Sequence, residues 1–304
     1  MSRTRDLLRK VFIPNNAGTS WLVILRIGTA LALSGKLLSE FGFRSDLYGS
    51  QGFVPHDIAV FSQNPHIPTI LGLYSNISLY CHCMEWTFIK IFFIIGLAAA
   101  LSLLMGSMTR IAAFLCWSMM AIIFNSSHLT SYGFDAILLT LLFYCLIFPV
   151  GKYFSLDSKI WAKVLAPDDS FTTIYHKTIQ IHVCLIYFVN GISKTHGSGW
   201  LDGRGMWDAI NQPQFHSLLT PFLLKLFMIP YVPVIISASI ILIEIAYPFL
   251  IWVRGINKVI LLLIILLHVL IALIMGLWLF AFTMIVINLV AFGHVLSKEK
   301  VING

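Results

Sequence analysis

HKTIQIHVCLIYFVNGISKTHGSGWLDGRGMW, His176–Trp207, is an apolar stretch that ends in a lysine and then gives way abruptly to glycine and tryptophan. On a helix, His176, Gln180, Tyr187, Asn190 and Lys194 fall within roughly 40° of one line, because eighteen residues make five whole turns. They form a polar stripe on an otherwise apolar rod. Gly197, Gly199, Trp200, Gly203 and Gly205 cannot continue a stable helix, and they predict a backbone folded closely over the helix end. Lys194 is expected under that lid.

The rest of the chain has the same apolar character. Of 304 residues, 58% are hydrophobic and 11% charged, and the mean hydropathy is +0.87. This balance points to an integral membrane protein. Apolar runs near the length needed to cross about 30 Å of hydrocarbon recur throughout, which predicts a single all-α domain over 1–304, a polytopic bundle of about eight transmembrane helices. The net charge of +7 does not point to nucleic acid, because the basic residues lie in short loops beside apolar runs. With the N-terminus cytoplasmic and eight crossings, thirteen of the twenty basic residues fall inside, and both termini are cytoplasmic. Lys194, His128 and the glycine lid then share the outer face. The basic start, Arg3, Arg5, Arg9 and Lys10, is similar to a signal-peptide n-region, but the apolar run after it contains Arg26 and Lys36 and ends without a small-residue cleavage site.

Taken in order, a first helix is expected over Trp21–Phe41, followed by the longest exposed loop, Gly42–Glu85, with an interfacial helix within Ile67–Tyr80. Helices over Trp86–Met105 and Ile111–Phe124 make a hairpin, a polar knot from Asn125 to Tyr132 holds His128, and a fourth helix covers Phe134–Val150. A charged loop reaches Lys177. Beyond the lid, Met206–Asn211 reads as short and amphipathic, Leu218–Met228 as a half-helix and Tyr231–Val253 as the sixth helix. Val259–Phe292 would be about 50 Å long if unbroken, so a break near Gly276 is expected.

Burial away from water lowers a lysine's proton affinity, which makes Lys194 a candidate base; an anchoring, snorkelling lysine is the plainer alternative. Arg26, Glu244 and His268 form a second intramembrane polar group, either paired between helices or lining a proton or ion path. Cys81, His82 and Cys83 lack the second pair a zinc site needs, and no metal is expected. Inverted repeats typical of transporters are not evident, which leaves transport a distant reading.

Several motifs, in order, resemble the membrane domain shared by vitamin K-dependent γ-carboxylase and bacterial horizontally transferred transmembrane (HTTM) proteins. They are Leu25-Arg26-Ile27-Gly28, His128 with Tyr132-Gly133, Ser155-Leu156-Asp157, Tyr187-Phe188-x-x-Gly191-x-x-Lys194 with Trp200-x-x-Gly203, and His268 with Gly276 and Phe280. The resemblance implies Lys194 and His128 as catalytic residues, with Lys194 the base toward a reduced, vitamin K-like quinone. It also implies cofactor contacts from Tyr187, Asn190, Gly191 and Trp200. The lysine-to-tryptophan spacing is one residue longer than in the carboxylases, which also carry a large extracytoplasmic region. Peptide glutamate carboxylation by this chain alone is therefore not expected. Shorter members of the broad family include the membrane protein needed to mature a secreted sporulation-delaying toxin. Two functions follow as expectations, in a bacterial cytoplasmic membrane with membrane lipids as surroundings and no nucleic acid. One is a carboxylase-like enzyme using a quinone or other lipid cofactor, and the other a non-catalytic maturation partner for an exported peptide or toxin.

Overall fold

The computed structural model describes residues 20–126, 131–160, 171–197, 199–212, 215–217 and 219–296. Among the described residues the chain is helical, without strands, and it divides into two compact units.

The N-terminal unit covers Leu22–Pro167. It opens with α1 (Ser20–Phe41), whose first two residues count with the other unit, and continues through the short α2 (Arg44–Tyr48), α3 (His56–Ala59) and α4 (Ile70–Ser78). Three consecutive helices follow, α5 (Glu85–Met105), α6 (Thr109–Ser126) and α7 (Gly133–Ile147), and then the short α8 (Leu156–Ile160). The C-terminal unit, Asp168–Gly304 with Met1–Trp21, repeats this order. The long α9 (Thr172–His196) precedes the short α10 (Arg204–Asn211) and α11 (Thr220–Phe227), and then α12 (Val232–Leu250), α13 (Asn257–Met275) and α14 (Trp278–Phe292) run in succession.

Six helices are long and apolar enough to cross a membrane: α1, α5, α6, α12, α13 and the stretch Trp278–Leu296 that contains α14. Helix α7 is apolar but has 15 residues, and α9 has 25 residues with the polar stripe along it. The expected break falls at Gly276, which takes φ +69 and closes α13 through its N–H to the Ala272 carbonyl at 3.0 Å. Orphan carbonyls of that helix end are met from the start of α11 and the segment before it: Thr220 Oγ1 donates to Ile274 O at 2.6 Å, and Ser217 Oγ donates to Leu273 O and Ile274 O. The half-helix is thereby pinned to the turn.

Some boundaries differ from the sequence expectation. Helix α7 stops at Ile147, three residues before Val150, because Phe148 precedes Pro149 and is held extended. Helix α12 stops at Leu250, short of Val253, and a turn with Gly255 at φ +90 follows. Helix α6 runs on through Asn125 and Ser126, whose side chains are spent on the loop beside it. Asn125 Oδ1 accepts from Asn64 N at 2.7 Å, its Nδ2 donates to Ile67 O at 2.7 Å, and Ser126 Oγ accepts from Ile70 N at 2.9 Å. The segment read as one long exposed loop, Gly42–Glu85, is thus tied down by side chains and contains three short α-helices and a 3-10 turn. The charged loop before α9 is also shorter than expected, since the helix begins at Thr172 and takes in His176 and Lys177.

A lock sits at the α5–α6 turn. Gly106 takes φ +69, and a Cβ there would collide with the Arg26 guanidinium and with Ser155. Arg26 is buried and donates from Nη2 to Phe154 O at 2.5 Å. Asp157, in α8 outside the spanning helices, accepts from Met108 N and Thr109 N at 2.8 Å each and from Thr109 Oγ1 at 2.6 Å. Burial pushes its carboxyl upward, but these donors together with the Arg26 charge outweigh that and hold it below the ordinary carboxylate range.

Candidate functional site

Most of the polar stripe of α9 finds partners inside the C-terminal unit. At its start His176 stacks on Trp21 at 4.9 Å and its Nε2 lies 2.9 Å from Val290 O; Gln180 Nε2 donates to Ala291 O at 2.7 Å. Both side chains therefore meet carbonyls in the last turn of α14, groups that a helix end leaves without partners.

Midway along the stripe, a buried hydrogen-bond chain links four helices. Tyr247 Oη donates to Asn288 Oδ1 at 2.8 Å, Asn288 Nδ2 donates to Tyr187 Oη at 2.7 Å, and Tyr187 Oη lies 2.8 Å from His268 Nε2. Either tautomer of His268 fits this contact, as donor to the hydroxyl or acceptor from it, and its Nδ1 is buried without a partner among the described residues. Tyr187 and Tyr247 also pack ring against ring at 4.4 Å.

At the end of α9, Lys194 Nζ lies 2.6 and 2.5 Å from the two oxygens of Glu244, on α12. The lysine side chain is 21% exposed and the glutamate 9%. Gly191 brings these helices together, since a Cβ on it would sit 2.8 Å from Ile245 Cγ1 and 3.2 Å from Glu244 Cβ. Trp200 then covers the lysine, with Nζ 5.2 Å from the ring centroid, a distance at which the π face favours an ammonium. Glycines seat the indole: added Cβ atoms at Gly205 and Gly197 would come within 3.0 and 3.3 Å of it. Gly205 N also donates to Gly199 O at 2.7 Å, and Ser237 Oγ on α12 donates to Trp200 O at 2.5 Å. Gly203, at φ +82, leaves no room for a side chain against Pro233 and Val234. The glycine-rich stretch is a lid in the physical sense, fixed at both its backbone and its ring.

The candidate residues of the sequence are regrouped by this geometry. Glu244 belongs with Lys194, whereas His268 belongs with Tyr187, and Arg26 lies in the N-terminal unit at the α5–α6 turn. Trp200 touches the lysine; the Tyr187 hydroxyl is committed to His268 and Asn288; Gly191 faces α12; Asn190 is exposed on the outside of α9. His128 lies outside the described residues. Asn288 carries no motif, and its one sequence signal is an amide within an apolar run.

The N-terminal unit also pairs a lysine with carboxylates, and this one is buried. Lys36 Nζ lies 2.7 Å from Glu40 Oε1 and 2.6 Å from Asp135 Oδ1, with the lysine side chain 6% exposed. Tyr48 Oη donates to Glu40 Oε2 at 2.8 Å, and Tyr132 N donates to Asp135 Oδ2 at 3.0 Å, at the start of α7. The sequence shows Lys36 only as a charge within an apolar run. Opposite charges inside two apolar helices were the signal that could have paired it.

The model of the HTTM domain matches residues 16–294, nearly all of the described chain. The chain belongs to the HTTM family. HTTM is a membrane-domain family tied to γ-carboxylase, in keeping with the apolar spanning helices of both units. No curated protein and no solved structure matches this HTTM chain. Among its described residues, no cluster of three or more histidine, cysteine or acidic side chains could hold a metal ion.

Proposed function

We propose that the chain is a γ-carboxylase-like membrane enzyme in which Lys194 and Glu244 handle a proton for a reduced quinone or similar lipid cofactor. Its substrate lies at the outer face of a bacterial cytoplasmic membrane. The supporting observation is an ammonium–carboxylate pair held under an indole among apolar helices, with the lysine a fifth exposed.

As an ion pair, Lys194 already carries every proton an amine takes. The proton acceptor is therefore the Glu244 carboxylate, either directly or after the pair has exchanged its own proton to leave a neutral amine beside a carboxylic acid. One proton taken up leaves an ammonium and a carboxylic acid, a net gain of one positive charge. The two residues are a single acid–base unit, with Trp200 excluding water and Gly191 setting the distance between their helices. A reduced quinone supplies, when bound, an acidic hydroxyl and reducing electrons. The flat apolar face of Trp200 beside a proton acceptor fits such a ring, whereas the Tyr187 hydroxyl, already bonded twice, is left to hold α9 in place.

The test is mass spectrometry of lipids that copurify in mild detergent with wild type, Lys194→Ala and Glu244→Gln. The expected result is a quinone near one per chain in wild type and about tenfold less in both variants, the loss of roughly 1.4 kcal/mol of binding. Bulk phospholipid alone in all three, also after quinone is added back, would overturn the proposal.

A second reading draws on the N-terminal unit, whose tied-down loop leaves Phe53, Phe61, Leu79 and Tyr80 between 73% and 92% exposed. An anchored backbone presenting aromatic side chains is a surface for an exported peptide, and the chain would then be a maturation partner. In that case Lys194→Ala leaves maturation intact and Phe61→Ser with Tyr80→Ser abolishes it; the opposite pattern would exclude the reading.

A further inference from the structure

The C-terminal unit has a groove of about 250 Å³ where α9 meets the end of α12. Ile181, Leu185 and Phe188 form one wall, Pro248, Phe249 and Trp252 the other, and Cys184 is also in the lining. No charged side chain lines it. Ile181, Leu185 and Phe249 are 50%, 53% and 62% exposed, so the groove is open along its length.

A charged side chain stands at its rim. Lys177 stands one turn before Ile181 on the same face of α9, and its Nζ lies 4.7 Å from the centroid of the Trp252 ring. A cation is thus fixed at one end of an apolar slot, about 25 Å along α9 from Lys194 and so apart from the proton-handling pair. Arg254 and Lys258 follow Trp252 closely in the chain and add positive charge near that end. With the charge-derived orientation, this is the cytoplasmic side, where anionic headgroups lie.

We propose that the groove binds one acyl chain of an anionic phospholipid whose phosphate is seated on Lys177. An uncharged wall accommodates a hydrocarbon chain, and the ammonium at its mouth selects the headgroup; a neutral quinone ring has no use for that charge. The inference is independent of the reading given for Lys194.

Native mass spectrometry of the full chain, exchanged into equal amounts of phosphatidylglycerol and phosphatidylcholine with matched chains, tests it. The comparison is between wild type, Lys177→Gln and Leu185→Trp, with helix content and elution volume checked for each. Wild type should retain one phosphatidylglycerol with about fivefold preference, the effect expected of one lysine near an anionic headgroup. Lys177→Gln should lose most of that preference, and Leu185→Trp, which fills the slot, should retain neither lipid. Equal retention of the two lipids by wild type, or an unchanged preference in Lys177→Gln, would overturn the proposal. So would displacement of the bound lipid by added menadione, which would make the groove a quinone site.

Discussion

The two units each set a lysine of their first long helix against carboxylates, yet they finish the job differently. In the N-terminal unit Lys36 is 6% exposed, touches both Glu40 and Asp135, and the remaining oxygens of those acids take donors from Tyr48 and Tyr132. In the C-terminal unit Lys194 is 21% exposed, has the single carboxylate of Glu244, and is covered by an indole instead of by further helix. A sealed charge cluster with its polar atoms engaged has nothing left to offer a substrate and serves to fix helix positions. A pair closed on one side by a lid of glycines and one tryptophan keeps a face for chemistry. The same residue types at the same stage of two similar helix orders thus divide into support and site.

Breaking the sealed cluster should have the largest effect. Lys36→Met leaves two carboxylates facing each other in a buried place and is expected to cost about 3–5 kcal/mol, seen as a large fall in folded yield and unfolding temperature in detergent. Glu244→Gln, which keeps the shape and a hydrogen-bonding oxygen, should cost less than half as much; equal losses would erase the distinction between the two lysines. Next in size is Gly191→Ala, whose Cβ meets Ile245 across the closest crossing of α9 and α12 and should cost about 1–3 kcal/mol by overpacking. Quinone retention should drop with it, because the Lys194–Glu244 distance depends on that crossing.

Asp157 sharpens the comparison from the N-terminal side. Asp157→Ala removes the acceptor of three hydrogen bonds in the α5–α6 lock and should lower stability by about 1–3 kcal/mol without changing lipid retention. Its carboxyl lies below the ordinary range in the folded chain, so its contribution is complete above that range and disappears as pH falls through the lowered value. Thermal unfolding of wild type should therefore weaken at acid pH more than that of the variant. Smallest of all is Asn190→Ala, on the exposed side of α9, expected within about 0.5 kcal/mol of wild type and without effect on cofactor retention.

Helix breaks were legible at Gly106 and Gly276, where glycine supplied a backbone reason, whereas the expected fourth helix runs through Pro149 and the structure ends it at Ile147. The lid was legible for the same reason, from glycines flanking a tryptophan. What the sequence could not supply was pairing. Arg26, Lys36 and Lys194 share the apolar helices with Glu40, Asp135 and Glu244, and periodicity alone does not say that Lys36 meets two of these acids, Lys194 one and Arg26 none. Glu244 stands fifty positions from Lys194, brought to it by a crossing that depends on Gly191. The angular reading of α9 was sound for His176, Gln180, Tyr187 and Lys194, whereas Asn190 lies at the edge of the stripe and turns outward. Asn288 is not legible in the sequence because the role of an asparagine in an apolar run depends on its partners, here Tyr187 and Tyr247.

Acylation of Lys194 by acetic anhydride, quantified by peptide mass spectrometry at one pH near neutrality, tests most directly whether this lysine is held by Glu244 beneath Trp200. The rate should rise severalfold in Glu244→Gln, where the amine loses its carboxylate, and also in Trp200→Ala, where it loses its cover. Rates unchanged from wild type in both variants would mean that Lys194 is neither paired nor lidded in the membrane protein, and the assignment of an acid–base unit to the C-terminal unit would fall.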